Sequence, residues 1–259
     1  MLTLGFIGTG NMGGALARAA AKAEGNRLLL TNRSQEKAKA LAAELGGEIA
    51  DYAAALEADY VFLGVKPQML EQLFSQLRPL LAEREQKPVL VSMAAVTSIQ
   101  RIRELAGCEL PIIRIMPNTP VAIGQGITLY ACSSEVSADT EETFLRAMAA
   151  SGRFIRSEEK YIDAGACISG CGPAFVDLFV EALADGGVAC GLPRAMALEL
   201  AAAMTAGAAG LILETGKHPA QLKDEVCSPG GTTIRGVRAL EQGAFRSAAM
   251  EAVLAAYGK

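Results

Sequence analysis

Phe6-Ile7-Gly8-Thr9-Gly10-Asn11-Met12-Gly13 decides how the first half of this chain is read. The six residues from Gly8 spell G-x-G-x-x-G, a pattern that is common in isolation. Here it follows an apolar run at 2–7 and opens an Ala- and Leu-rich stretch at 11–23, the strand–turn–helix setting in which the glycines acquire meaning. The first glycine permits the tight turn, the second lets the backbone approach a pyrophosphate, and the third allows close helix–strand packing. The helix start supplies free N–H groups and the positive end of its dipole to an anion. Ile7, Gly8, Thr9, Gly10, Asn11, Met12 and Gly13 are therefore candidate cofactor contacts.

Outward from this turn, the next strand at 27–31 ends in Thr31-Asn32-Arg33-Ser34. A site for NAD usually carries an acid here, to accept from the ribose 2′-hydroxyl. The first acid after this strand is Glu36, whereas Arg33 can pair with a 2′-phosphate and Ser34 can donate to it. Asn32, Arg33 and Ser34 thus point to NADPH, with NADH as the alternative. Strand and helix signals continue to alternate: a helix at 34–45 with Ser34 as N-cap, a strand at 60–65, a helix at 67–81, a strand at 89–93, a helix at 97–106 and a strand at 112–116. Such alternation implies a parallel sheet covered by helices. Val65, Lys66, Pro67, Met93, Ala94, Ala95 and Asn118 lie just beyond strands of that sheet and join the candidates for lining the cofactor crevice.

After about Ser157 the reading changes to helices alone, at 161–168, 173–189, 194–214, 232–242 and 245–257, punctuated by Gly-Pro, Gly-Leu-Pro and His-Pro. The fold class is α/β, with a parallel-sheet domain over 1–157 and an all-α domain over 158–259. Composition is compatible with this. The 259 residues are 51% hydrophobic but only 5% aromatic, with no Trp, so Ala, Leu and Gly must supply close-packed helices. A net charge of -4 offers no basic footprint for nucleic acid. The most apolar stretch, 174–190, is broken by Asp177, Glu181 and Asp185, so no membrane span is expected. Met1 leads into the first strand without a basic leader or cleavage site, which suggests a cytoplasmic protein. The six cysteines lack paired spacing and a single histidine, His218, accompanies them, so thiols and no metal site are expected.

In the second half, Ser228-Pro229-Gly230-Gly231-Thr232-Thr233 opens a helix. A rigid proline, two permissive glycines and two hydroxyls at a helix start make a ready carboxylate cradle; a plain capped helix start is the competing explanation. Ser169-Gly170-Cys171-Gly172-Pro173-Ala174-Phe175 marks a sharp break between two helices, with or without a ligand contact. No lysine lies between Lys160 and Lys217. A ketone reductase usually needs a proton donor or a metal for the developing alkoxide. A protonated imine accepts hydride directly, and orientation becomes the main task.

These motifs, with Gly64-Val65-Lys66-Pro67-Gln68 and Arg114-Ile115-Met116-Pro117-Asn118-Thr119-Pro120, resemble the pyrroline-5-carboxylate reductases along essentially the whole chain. The resemblance implies reduction of 1-pyrroline-5-carboxylate to L-proline with NAD(P)H, the last step of proline biosynthesis. It also implies a Rossmann-type domain followed by a helical domain through which two chains form a homodimer, with larger assemblies of dimers left open. Carried over by position, it places Ser228, Gly230, Gly231, Thr232 and Thr233 at the substrate, with Thr233 near the ring nitrogen as the catalytic residue. It places Glu159 on the substrate side, and Asp51 and Glu225 where they can touch cofactor. Cys171 and Ala166 depart from the Ser and Thr frequent at those positions. Two other functions compete. A β-hydroxyacid dehydrogenase would share the first motif but relies on a lysine in its helical domain, which the gap from Lys160 to Lys217 disfavours. An NADPH-sensing regulatory protein would have no need of 228–233.

Overall fold

A computed structural model describes residues 1–258, which divide into two compact units, 1–170 and 171–258. The first is built on one eight-stranded sheet of order β3-β2-β1-β4-β5-β6-β7-β8. Its elements run β1 (Leu2–Ile7), α1 (Asn11–Ala21), β2 (Asn26–Thr31), α2 (Gln35–Leu45), β3 (Glu48–Ile49), α3 (Tyr52–Ala55), β4 (Tyr60–Leu63), α4 (Leu70–Glu83), β5 (Val89–Ser92), α5 (Ile99–Ala106) and β6 (Ile112–Met116). They continue as β7 (Gly126–Cys132), α6 (Ala138–Met148), β8 (Gly152–Arg156) and α7 (Ile162–Ser169).

Successive strand residues face opposite sides of the sheet. Leu4, Phe6, Tyr60, Phe62, Val89, Val91, Ile113 and Ile115 pack on one side, beneath α1, α2 and α6. Ile7, Val61, Leu63, Leu90 and Ile112 pack on the other, with Leu73, Phe74, Leu77 and Leu81 of α4 and Ile102 of α5. Strands buried on both faces read as continuous apolar runs, which is why these segments were visible in the sequence. The few aromatic residues concentrate on the first side. Phe6 stacks on Phe62 with centroids 4.4 Å apart, and Phe144 of α6 lies 6.2 Å from Phe62 and 5.6 Å from Phe154.

The sheet departs from an all-parallel arrangement at one place. Every pairing is parallel except β6 with β7, where Ile113 faces Cys132 and Met116 faces Leu129. Only segment 117–125 joins these two strands, too little chain for a crossover. It turns instead through a 3-10 helix at Thr119–Ile123 and a left-handed Gly124, φ 77°. β7, α6 and β8 extend this layer through a region where the sequence shows no clear element, and the same holds for β3, α3 and a later helix at Pro219–Val226. Two helices expected from sequence begin with a 3-10 turn, Pro67–Met69 before α4 and Glu159–Tyr161 before α7.

The second unit is helical: α8 (Gly172–Ala189), α9 (Arg194–Thr215), α10 (Pro219–Val226), α11 (Thr232–Gln242) and α12 (Phe245–Tyr257). α8 and α9 form an antiparallel pair closed by Gly191, φ 94°, and by an Arg194–Asp185 ion pair of 2.5 Å. Small residues set their approach, since a Cβ on Gly187 would sit 3.1 Å from that of Ala197. The apolar residues buried in this unit are Ala184, Ala197 and Ala201, while Leu178, Met196, Leu198, Leu200, Met204, Leu211, Leu213 and Met250 are each about half or more exposed. Glu159–Ala189 and Arg194–Thr215 are long and apolar enough to cross a membrane, by length and composition alone.

The packing of α6 on the early strands is testable. Phe144 is fully buried, so Phe144→Ala should destabilise the first unit by about 3–5 kcal/mol. Urea unfolding followed by circular dichroism measures this, and a loss below about 1 kcal/mol would show that α6 is not part of that core.

Candidate active site

The register aligns the carboxyl ends of five strands along one edge: Ile7 with Thr31 and Leu63, Leu63 with Ser92, and Ser92 with Arg114. The turns at 8–13, 32–34, 64–67, 93–95 and 117–119 therefore leave the sheet on the same side. Strand order reverses direction between β1 and β4, the point at which open α/β sheets bind ligands.

Three glycines shape this point. Gly8 adopts φ 99°, and a Cβ there would lie 2.6 Å from the Gly64 carbonyl oxygen. A Cβ on Gly13 would fall 2.1 Å from the Gly8 carbonyl oxygen, and one on Gly64 would fall 2.3 Å from the same atom. Gly64 opens the Gly64-Val65-Lys66-Pro67-Gln68 segment, but nothing local in the sequence announces its part in this contact. Gly10 differs. It is the exposed N-cap of α1, makes no side-chain cap, and a Cβ there would meet nothing within 4 Å. The first turn of α1 holds no acid, so its N–H groups face open space with nothing to repel an anion. Thr9 beside it is buried, and its Oγ1 has no hydrogen-bond partner. An open cradle of unsatisfied donors at a helix start fits a dinucleotide pyrophosphate.

A cavity of about 290 Å³ adjoins this turn, lined by Ile7, Gly8, Asn32, Arg33 and Val65, and by Tyr52, Met69, Gln72, Leu73 and Gln76. The second group was missed in the sequence. The one available signal was Gln72 and Gln76, spaced i, i+4 on α4 and so on one face. Arg33 is exposed and forms no ion pair among the described residues. Ser34 occupies the N-cap of α2 but makes no side-chain cap bond, leaving its hydroxyl for another acceptor. The Asn32 side-chain amide donates to the Ser34 carbonyl at 3.2 Å, bracing this corner. A neighbouring cavity of about 290 Å³ runs past Asn32 to Asp51 and Tyr52. There the Asp51 carboxylate accepts the Ala54 N–H at 2.8 Å and caps α3.

The remaining candidates of the first unit are placed as follows. Lys66 and Pro67 are exposed at the 3-10 turn after β4. Met93 is half-buried, Ala94 buried and Ala95 exposed after β5. The exposed Val96 beside them sits at φ 54°, unusual for a β-branched residue. Asn118 is buried; its Oδ1 accepts the Ile127 N–H at 2.9 Å and its amide donates to the Ser169 carbonyl at 3.0 Å. Glu159 accepts the Ile99 N–H at 2.6 Å and pairs with Arg114 at 3.3 Å. A separate cavity of about 580 Å³ runs from Glu159 past Arg103, Cys132 and Ser134 to Arg156. Burial pushes the Cys132 thiol up to about 11, so at neutral pH it stays protonated and unreactive.

In the second unit, α11 begins as α1 does. Its N-cap is Gly231, with no side-chain cap bond and no acid in the first turn, so Thr232 and Thr233 open the helix beside unsatisfied N–H groups. Gly230 adopts φ 70° with open space around its Cβ position, and the Gly231 N–H donates to the Ser228 carbonyl at 3.0 Å. Gly has no side chain to accept from the first N–H groups, as Ser, Asp or Asn would, so this helix start is built open. Glu225 pairs with Lys217 at 2.8 Å, which holds its carboxyl below the usual range. His218 caps α10, its Nδ1 accepting the Ala220 N–H at 3.2 Å. Among the described residues no cluster of side chains suits a metal ion.

Residues 159–259 match the family model for pyrroline-5-carboxylate reductase dimerisation, and residues 3–96 match that for NADP oxidoreductase, coenzyme F420-dependent. A pyrroline-5-carboxylate reductase of Glycine max is 42% identical over 98% of this chain and 93% of its own length. The chain belongs to the pyrroline-5-carboxylate reductase family. Its class of activity is that of an NAD(P)H-dependent oxidoreductase. The fold agrees: the solved reductase of Coxiella burnetii superposes with a TM-score of 0.89 at 32% identity, covering 99% of this chain and 96% of that one. The Plasmodium falciparum pyrroline carboxylate reductase, solved with NADP bound, gives 0.87 at 30% identity over 99% and 96%.

An unpaired Arg33 beside an uncapping Ser34 makes a specific expectation. Arg33→Ala should raise KM for NADPH by roughly ten-fold or more, the scale of a lost charge-assisted hydrogen bond, while KM for NADH changes little. Steady-state kinetics with both cofactors decides it; equal effects on the two would remove the 2′-phosphate role.

Proposed function

We propose that this reductase converts 1-pyrroline-5-carboxylate to L-proline with NADPH, in the cytoplasm, as the last step of proline biosynthesis. The observation that carries the reading is the pair of glycine-capped, acid-free helix starts, at Gly10 and at Gly231, in a chain whose relatives match both units. One suits a dinucleotide pyrophosphate and the other a small carboxylate.

NADPH supplies the hydride. The protein's own work is binding and orientation. Ile7 and the turn from Gly8 to Gly13 hold the pyrophosphate, and Asn32, Arg33 and Ser34 hold the 2′-phosphate, which makes NADH the poorer cofactor. Val65, Lys66, Pro67, Met93, Ala94 and Ala95 border the rest of the cofactor. Ser228, Gly230, Gly231 and Thr232 seat the substrate carboxylate, while the Thr233 hydroxyl fixes the ring nitrogen. The protonated imine carbon gains a C–H bond as the C=N π pair moves to nitrogen. No alkoxide forms, so the lysine-free interval from 161 to 216 costs the reaction nothing.

The functional division follows 1–157 for cofactor and 158–259 for dimerisation and substrate, in keeping with the dimerisation match over 159–259. The half-exposed Leu and Met side chains of α9 support a homodimer, since this unit buries little beyond three alanines by itself. The same surface explains why α8 and α9 resemble membrane spans, and no membrane role is assigned to them. Dimers assemble further or not without altering these roles. A net charge of -4 favours no nucleic-acid partner.

NADPH oxidation by the purified protein should accelerate with pyrroline-5-carboxylate, and NADP reduction with 3-hydroxyisobutyrate should be absent. Turnover of neither would favour a regulatory NADPH-binding protein. Thr233→Ala should lower kcat/KM by about 1–3 kcal/mol in barrier terms, the scale of a lost buried hydrogen bond. Unchanged kinetics would take Thr233 out of the site.

A further inference from the structure

We propose that Arg114 is a positioning residue whose buried guanidinium, paired with Glu159 and Asp163, holds the loops after β5 and β6 in a fixed relation at the cofactor edge of the sheet. The inference rests on the reductase reading above and concerns residues that reading leaves without a task.

Arg114 lies on β6, two residues before the strand ends, and its side chain is 3% exposed. One terminal nitrogen pairs with Asp163 Oδ1 at 2.5 Å and the other with Glu159 Oε1 at 3.3 Å. The same Glu159 oxygen accepts the N–H of Ile99 at 2.6 Å. Ile99 is the first residue of α5, so this bond closes the loop that starts at Met93. Asp163 sits in the first turn of α7. At the far end of α7, the Ser169 carbonyl receives the Asn118 amide at 3.0 Å, and Asn118 lies two residues past the end of β6. α7 is thus tied to β6 at both ends: through Arg114 inside the strand and through Asn118 just beyond it. A branch through Glu159 reaches the loop after β5.

The residue type matters. A guanidinium presents donors in a rigid planar fork and so reaches two elements at once, where an ammonium is a point charge. Burial raises the stakes, because removing one partner leaves charge stranded in low dielectric. The Arg114 Nε is buried with no hydrogen-bond partner, so its hydrogen bonds to the protein lie on the terminal nitrogens. Gly165 lets α7 lie flush on β7, since a Cβ there would meet Leu129 at 2.3 Å. The helix therefore acts as a stiff strut for the ties.

Cofactor affinity comes largely from the turn at 8–13 and from Arg33, away from this network. Loosening the network should misplace the reacting groups and leave binding mostly intact. In the full-length enzyme, Asp163→Asn, close in shape but uncharged, should lower kcat roughly ten- to a hundred-fold, the cost of a small misplacement, with KM for NADPH nearly unchanged. In the protein without cofactor, amide hydrogen exchange should accelerate at 93–98 and 117–119 but not at 8–13. Asp163→Glu, which keeps the charge, should recover most of kcat. A fall in melting temperature with unchanged kcat and unchanged exchange at those loops would overturn the proposal in favour of a purely structural ion pair. A rise in KM for the imine acid alone in Glu159→Gln, with loop exchange unchanged, would overturn it in favour of direct substrate contact. The exchange readout needs no substrate, so a failure of the reductase reading itself would show instead as a wild-type enzyme inactive on pyrroline-5-carboxylate.

Discussion

Much of the first unit depends on one close backbone approach, where Gly8, Gly13 and Gly64 meet. β1 must turn sharply into α1 while β4 runs alongside and turns in its own way, and added Cβ atoms at these three positions would lie 2.1–2.6 Å from backbone oxygens. Their absence lets α1 start directly above the end of β1. The helix N-terminus then opens onto the crevice where strand order reverses. Fold and candidate site are therefore one constraint here: the contact that lets the helix pack also aims its donors into that crevice.

The two units solve the burial problem differently. The first packs a continuous apolar sheet between helices on both faces, and its Phe, Leu, Ile and Val side chains are withdrawn from water. The second pairs α8 with α9 through alanines and glycines and leaves its larger apolar side chains outward. Small residues allow close approach but bury little area each, so the hydrophobic stabilisation within this unit is modest. A surface of this kind calls for a partner, which agrees with the dimerisation model matched over 159–259.

Polar side chains in the first unit fall into two groups. Arg33 and Ser34 are left without protein partners at the crevice, as ligand-binding groups are. Asn118 bonds the backbone at both ends of its amide, and Glu159 joins the Ile99 N–H to a terminal nitrogen of Arg114. The sequence puts Asn118 among the cofactor contacts because it follows a strand of the sheet, and the family resemblance alone puts Glu159 on the substrate side. Their hydrogen bonds to Ile127, Ser169 and Ile99 involve sequence separations of 9, 51 and 60 residues, and nothing local announces such pairings.

The sequence by itself determined the strand–turn–helix unit at 2–21, the alternation as far as β6, the helical second half and the glycine-rich helix start at 228–233. Each is signalled locally, by periodic apolar residues or by glycines whose backbone freedom a turn requires. Tertiary structure alone decided that β7 runs antiparallel to β6, that β7, α6 and β8 complete the sheet, and which polar groups are spent on structure. β7 alternates buried with half-buried residues and β8 is largely exposed, so neither reads as a continuous apolar run, and their places come from pairing with neighbouring strands. The physical reason is range: propensity and periodicity act over a few residues, whereas strand pairing and buried hydrogen bonds join residues far apart in the chain.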